Sequence, residues 1–199
     1  PSRNLIVIDY SRMITRPFSL GTTLRHELCH LLLHRHIKDE ILPQWLDEGL
    51  CQWASGGIGE IMMDPKRSLL NRAAFSNKFI HFKDLEQGFP IDQNGRLLAY
   101  EESKSFVEYL TRKYKNDGIL NVLNRMKQGQ TTGDAIFAVL SIPLETLENE
   151  WQDSLKQKMS WFTYLSYYLY EILFVLMALI TIIAFIRLNI RKRNYIDDE

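Results

Sequence analysis

Between Leu165 and Ile186 the sequence carries a single charge, Glu171, and from Ile172 to Ile186 it carries none. No other feature restricts the architecture as much. A helix of about 22 residues, rising 1.5 Å per residue, reaches roughly 33 Å and can cross a hydrocarbon core of about 30 Å. Trp161, Phe162, Tyr164, Tyr167, Tyr168 and Tyr170 crowd its leading end, and Arg187, Arg191, Lys192 and Arg193 its trailing end. Aromatic residues suit a membrane–water interface, and clustered cations suit the cytoplasmic side. A buried core helix has no use for such unequal flanks. The expected organisation is a domain over 1–160, a transmembrane helix over 161–188 and a short cytoplasmic tail over 189–199. The domain is then expected outside the cytoplasm, on a single-pass protein of the cell membrane. Lys156 and Lys158 oppose this orientation weakly, and Glu171 is expected near the outer interface.

The rest of the chain reads as one compact domain. Charge is balanced, 24 Lys+Arg against 24 Asp+Glu. No strongly basic face is implied, so nucleic acid is not an expected partner. Pro1 is read as a trimmed N-terminus. Asn4 to Asp9 (NLIVID) is short and rich in Ile and Val, which predicts a strand. Ser19, Thr22 and Thr23 are possible N-caps of a helix running to about His36. Pro43 suits the first turn of a second helix, ended by Gly56-Gly57. A third helix is expected from Asp64-Pro65 to Phe75, and residues 79–94 read as irregular. Helices should follow over 97–115, 117–128, 134–140 and 143–158. The fold class expected is mainly α with a small β contribution (α+β): a helix pair and helical bundle, then one transmembrane helix.

The first helix carries His26-Glu27-Leu28-Cys29-His30. Histidines four residues apart project from one helical face and can share a metal ion, with zinc the fitting choice for two imidazoles. Glu27 lies beside them, where a carboxylate can take a proton from an activated water and return it to a leaving group. Leu31, Leu32 and Leu33 follow at once, so this helix is expected to be largely buried. A catalytic zinc site needs a third protein ligand. Glu48, in LPQWLDEGL, can return beside the first helix after a turn. His36 is the other candidate, but it needs a sharp helix break where Leu33 stands. Glu48 is therefore the stronger expectation.

HELCH followed by LPQWLDEGL resembles the gluzincin clan of zinc metallopeptidases, in which the glutamate of an "N/D-E-G" segment on a second helix completes the zinc site. The sequence is most similar to a small bacterial peptidase-MA-like family, which joins an "a-HE-l-a-H-l-l" helix to an "l-P-W-l-n-E-G-l-A" helix. The segment Ala99 to Leu110 is similar to a later helix of that family. The resemblance runs from about Leu5 to Lys158, and its specificity rests on the first two motifs together. It implies a gluzincin-like helix pair holding Zn2+ through His26, His30 and Glu48. There is no G-x-M-E-N segment, so specificity for the amino end of a peptide is not implied.

Tyr100 is the candidate to stabilise the oxyanion of the tetrahedral intermediate, as a downstream tyrosine does in related gluzincins, or else it packs in the core; His81 is a rival. Asp47 and Gln52 could accept the second N–H of a ligand histidine, while Asp47 could equally serve the helix dipole. His34, with Arg35, reads as a cation at the helix C-terminus. Cys29 and Cys51 each follow a candidate ligand by three residues. They are too few for a disulfide scaffold and could be small buried side chains, a disulfide pair or, least of all, ligands. The expected function is a membrane-anchored extracytoplasmic zinc metallopeptidase with Glu27 as base and a peptide or protein as substrate. The alternative is a non-catalytic zinc-stabilised module that binds a partner outside the membrane. A structural site would have four protein ligands and no need of Glu27.

Overall fold

The computed structural model describes residues 19–56 and 68–196. These form six helices: α1 (Leu20–His36), α2 (Gln44–Ser55), α3 (Leu69–Ser76), α4 (Gln93–Lys127), α5 (Thr132–Leu140) and α6 (Leu144–Ile196). There is no strand among the described residues, so the expected β contribution is corrected to an all-α fold. The strand expected over 4–9 lies outside the described residues. The irregular stretch before α4 contributes no ladder either. Some of its backbone donors close local turns, as Asp84 N–H does on the His81 carbonyl at 2.9 Å, and others go to side chains: Ile80 N–H to Glu102 at 3.2 Å and Phe89 N–H to Gln44 Oε1 at 3.2 Å.

Two compact units divide the chain at 156/157. The second contains the stretch Tyr168–Leu188, one helix long and apolar enough to cross a membrane. In the first unit α2 is the central strut, packed against α1 on one side and α4 on the other. Its Trp45 is fully buried, 4.7 Å from the Phe82 ring and 5.6 Å from that of Phe106, and Trp151 of α6 closes the same aromatic cluster. Burying such large rings removes the most apolar surface per residue and anchors the neighbouring turns of α2. Gly49, one turn after Trp45, meets α4 backbone to backbone: a Cβ there would lie 2.6 Å from the Ser103 carbonyl oxygen.

Local signals explain the helix ends. Ser68 caps α3, accepting from Asn71 N–H, while Glu101 of α4 accepts from Leu69 N–H, Leu70 N–H and the Ser68 hydroxyl. Asp92 caps α4 through Gly95 N–H, so α4 begins earlier than the apolar pattern implies. α4 is interrupted at Lys115, with φ 63°, where the sequence also divides two helices. α1 departs from expectation in another way. His26 is its buried residue, whereas Leu20, Leu24, Leu28 and Leu32 are each at least 43% exposed. Of Leu31, Leu32 and Leu33, which suggested a largely buried helix, Leu33 packs against the core, Leu31 is half-buried and Leu32 lies on the exposed face.

Candidate metal centre

The four-residue spacing of α1 brings His26 and His30 together, with their Nε2 atoms 3.0 Å apart. α2 adds Glu48, whose Oε2 lies 3.6 Å from His26 Nε2 and 3.7 Å from His30 Nε2. Tetrahedral ligands at about 2.0–2.1 Å from a zinc ion stand roughly 3.3 Å from one another. The observed triangle has that size. Glu48 Oε2 is shielded from solvent and has no hydrogen-bond partner. Burial pushes the Glu48 carboxyl up to about 7, against the pull of His30. An unpartnered buried carboxylate oxygen is costly, and a divalent cation between the three atoms removes that cost. Burial, and His30 beside it, hold the His26 imidazole below its ordinary value, which keeps a nitrogen lone pair free for a cation. By geometry and donor chemistry the residues fit a metal ion.

Asp47, immediately before Glu48, orients the site. A carboxylate only accepts, so the His30 Nδ1–H donates to Asp47 Oδ1, at 2.8 Å. That tautomer turns the His30 Nε2 lone pair toward His26 and Glu48. Burial lowers the His30 basicity, but the hydrogen bond and charge of Asp47 outweigh it and leave it raised. Asp47 Oδ2 takes a second hydrogen bond from His34 Nε2 at 2.9 Å, and His34 Nδ1 donates to Asp39 Oδ1 at 2.8 Å. Sequence reasoning placed His34 as a terminal helix cation and missed Asp39. Asp39 sits in the turn after α1, and the path of a turn is not written in helical periodicity.

Among the other candidates, Glu27 is half-buried on α1 and acts electrostatically on His26, His30 and Glu48. Tyr100 of α4 hydrogen-bonds the Glu48 carboxylate, and its ring packs edge-on against Phe89, with centroids 4.8 Å apart. His81 is elsewhere engaged: it lies 71% exposed and bonds Glu148 Oε1 at 3.0 Å. His36 is exposed and donates back to the Leu32 carbonyl at 2.8 Å, away from the cluster. Gln52 is buried one turn beyond Glu48 with its amide nitrogen unpartnered. Cys29 and Cys51 are joined as a disulfide with a Cα–Cα distance of 5.3 Å. It ties α1 to α2 beside the three converging side chains.

Comparison with known proteins adds one positive finding. The family model for the Peptidase MA superfamily matches residues 3–157. No curated protein and no solved structure matches the chain. The family match takes in the whole of α1 to α5 and the first turns of α6, so the histidine pair, Glu48 and the helix that carries Tyr100 all fall within it. The chain belongs to the Peptidase MA superfamily.

Proposed function

We propose that the chain is a membrane-anchored, extracytoplasmic zinc metallopeptidase of the gluzincin type, with His26, His30 and Glu48 as ligands. The observation that carries this reading is the convergence of two imidazole Nε2 atoms on the unpartnered, buried Oε2 of Glu48. A His2Glu set leaves a coordination position free for chemistry, as catalytic zinc sites do. When bound, zinc supplies a Lewis acid that polarises the scissile carbonyl and makes water more acidic.

The remaining work falls to the chain's own side chains. Glu27 takes a proton from the attacking water and gives it to the departing amine. Tyr100, beside Glu48, turns its one O–H from that carboxylate to donate a hydrogen bond to the oxyanion. Asp47 holds His30 in the tautomer that presents Nε2. The disulfide between Cys29 and Cys51 keeps the two site helices in register, and it agrees with an oxidising, extracytoplasmic compartment. Tyr168–Leu188 is the membrane span, and the cations at 187 and 191–193 set the tail inside.

Glu27 tests the enzyme reading. The full chain and its Glu27→Gln variant are loaded with zinc and given a mixed peptide library. Zinc content should be equal, while cleavage by the variant falls about 10²–10⁴-fold, the usual contribution of a general acid–base group. Cleavage at the wild-type rate by zinc-loaded Glu27→Gln would sink the mechanism. For the topology, a cysteine added to the tail should stay protected from an impermeant reagent in intact cells. Labelling there would reverse the orientation.

A further inference from the structure

From the proposed ligand His30 a continuous line of side chains runs outward through Asp47 and His34 to Asp39. Both oxygens of Asp47 are engaged, Oδ1 by His30 at 2.8 Å and Oδ2 by His34 at 2.9 Å. A carboxylate bonded through one oxygen can still turn about its last torsion, which is broad. Bonded through both, in a nearly buried position, it cannot turn without breaking a bond. His34 is fixed in the same way. Its two nitrogens face two carboxylates, and carboxylates accept only. Both nitrogens must therefore donate, so His34 stands as an imidazolium between Asp47 and Asp39. In agreement, the two carboxylates outweigh burial and leave its basicity raised.

The line also closes a loop in the chain. His34 lies one helical turn beyond His30 on α1, Asp39 follows in the turn that ends α1, and Asp47 sits on α2. The clasp thus joins both helices and their connector at the end of the site opposite His26.

We propose that His34, seated by Asp39, is a positioning residue for the metal centre: it locks Asp47, and through it the ring plane and tautomer of His30. His34 touches neither metal nor substrate, so its action is indirect. The inference rests on the reading of His26, His30 and Glu48 as ligands. Outer partners of a ligand histidine commonly contribute 10–100-fold in metal affinity.

The test is zinc affinity of the full chain in detergent micelles, measured by competition with a chromophoric chelator. His34→Ala should weaken zinc binding by about 10–100-fold. It should also alter the visible absorption of the Co2+-substituted protein, because the His30 ring is no longer held in place. His34→Gln keeps an amide N–H that can reach Asp47 Oδ2, and should recover most of the lost affinity. Thermal unfolding of the metal-free variants checks that they fold. Two results overturn the proposal: zinc held by folded His34→Ala as tightly as by wild type, or His34→Gln no better than His34→Ala. His30→Ala separates this from the underlying reading. If wild type binds no zinc, or His30→Ala binds it equally well, the metal-site reading itself fails and the proposal with it.

Discussion

Glu102 of α4 is fully enclosed, with both carboxyl oxygens 3.2–3.3 Å from Ile80 N–H. Burial, with Glu148 and Glu101 nearby, pushes its carboxyl from 4.5 up to about 8, against the Ile80 hydrogen bond. Glu102 is therefore neutral in the folded protein at neutral pH and ionised in the unfolded chain. The folded form binds the extra proton, so stability is fully present below about pH 4.5 and is lost as pH rises toward 8. At about 1.4 kcal/mol per tenfold, the whole rise is worth up to about 5 kcal/mol, and relaxation around the site lowers it to roughly 2–5 kcal/mol. Glu102→Gln places an uncharged group of the same shape there and removes this pH dependence. The assay is urea unfolding of both proteins in detergent from about pH 4 to about pH 9. Tryptophan fluorescence follows it, because Trp45 and Trp151 are buried reporters. The two proteins should match at the acid end. The glutamine variant should then gain by roughly 2–5 kcal/mol, with the gap levelling off above about pH 8. Glu48 also loses stability with pH, but equally in both proteins, whereas Glu148 acts on Glu102, so the difference reports Glu102 together with that coupling. Stability curves that stay parallel across this range would refute the reasoning.

Gly49→Ala should destabilise the domain by about 1–3 kcal/mol or more, because the new methyl meets the Ser103 carbonyl at 2.6 Å; unchanged unfolding in urea would contradict the close approach. Replacing both Cys29 and Cys51 by Ala removes a cross-link over a separation of 22 residues, and the unfolding free energy should fall by roughly 3 kcal/mol. The same unfolding assay checks it, and an undiminished value would show that the bond adds nothing. On the proposed mechanism, Tyr100→Phe should leave zinc content unchanged and slow peptide cleavage by about 10–10³-fold, less than Glu27→Gln, since a bound metal would still polarise the carbonyl; a larger loss than in Glu27→Gln would reverse the order of the two roles.

What could be read from the sequence was whatever follows from one helical repeat. His26 and His30 meet because four residues make about one turn, and no other part of the fold is needed. Glu48 was reachable by argument because a short connector between two helices returns the chain alongside itself. Tyr100 needed the resemblance, since nothing in its local pattern says that α4 crosses α2 at that level. The hydrogen bonds His34 makes to Asp39 and Asp47 join a helix, a turn and a second helix, so their geometry exists only after packing. Glu101 and Glu102 look like ordinary surface acids by sequence. One caps α3 and the other holds the 79–82 loop, and both roles depend on backbone donors that arrive from elsewhere. Hydrophobicity misled at α1: Leu24, Leu28 and Leu32 share a face, but among the described helices α1 packs chiefly on α2, along the opposite side.

The backbone meeting at Gly49 acts as a mechanical stop. Two helices separated by side chains can drift as those side chains repack, but backbone against backbone leaves no slack in that direction. Glu48 is the residue next to the stop on α2, and Tyr100 lies one turn before its counterpart, Ser103, on α4. The spacing between the carboxylate and the phenol is thus set as by a gauge block, whatever fills the core around it. Altered selectivity would have to be built away from this crossing. A search for variants with altered selectivity should leave the strip from Glu48 to Gly49 and from Tyr100 to Ser103 unchanged and spend its diversity elsewhere.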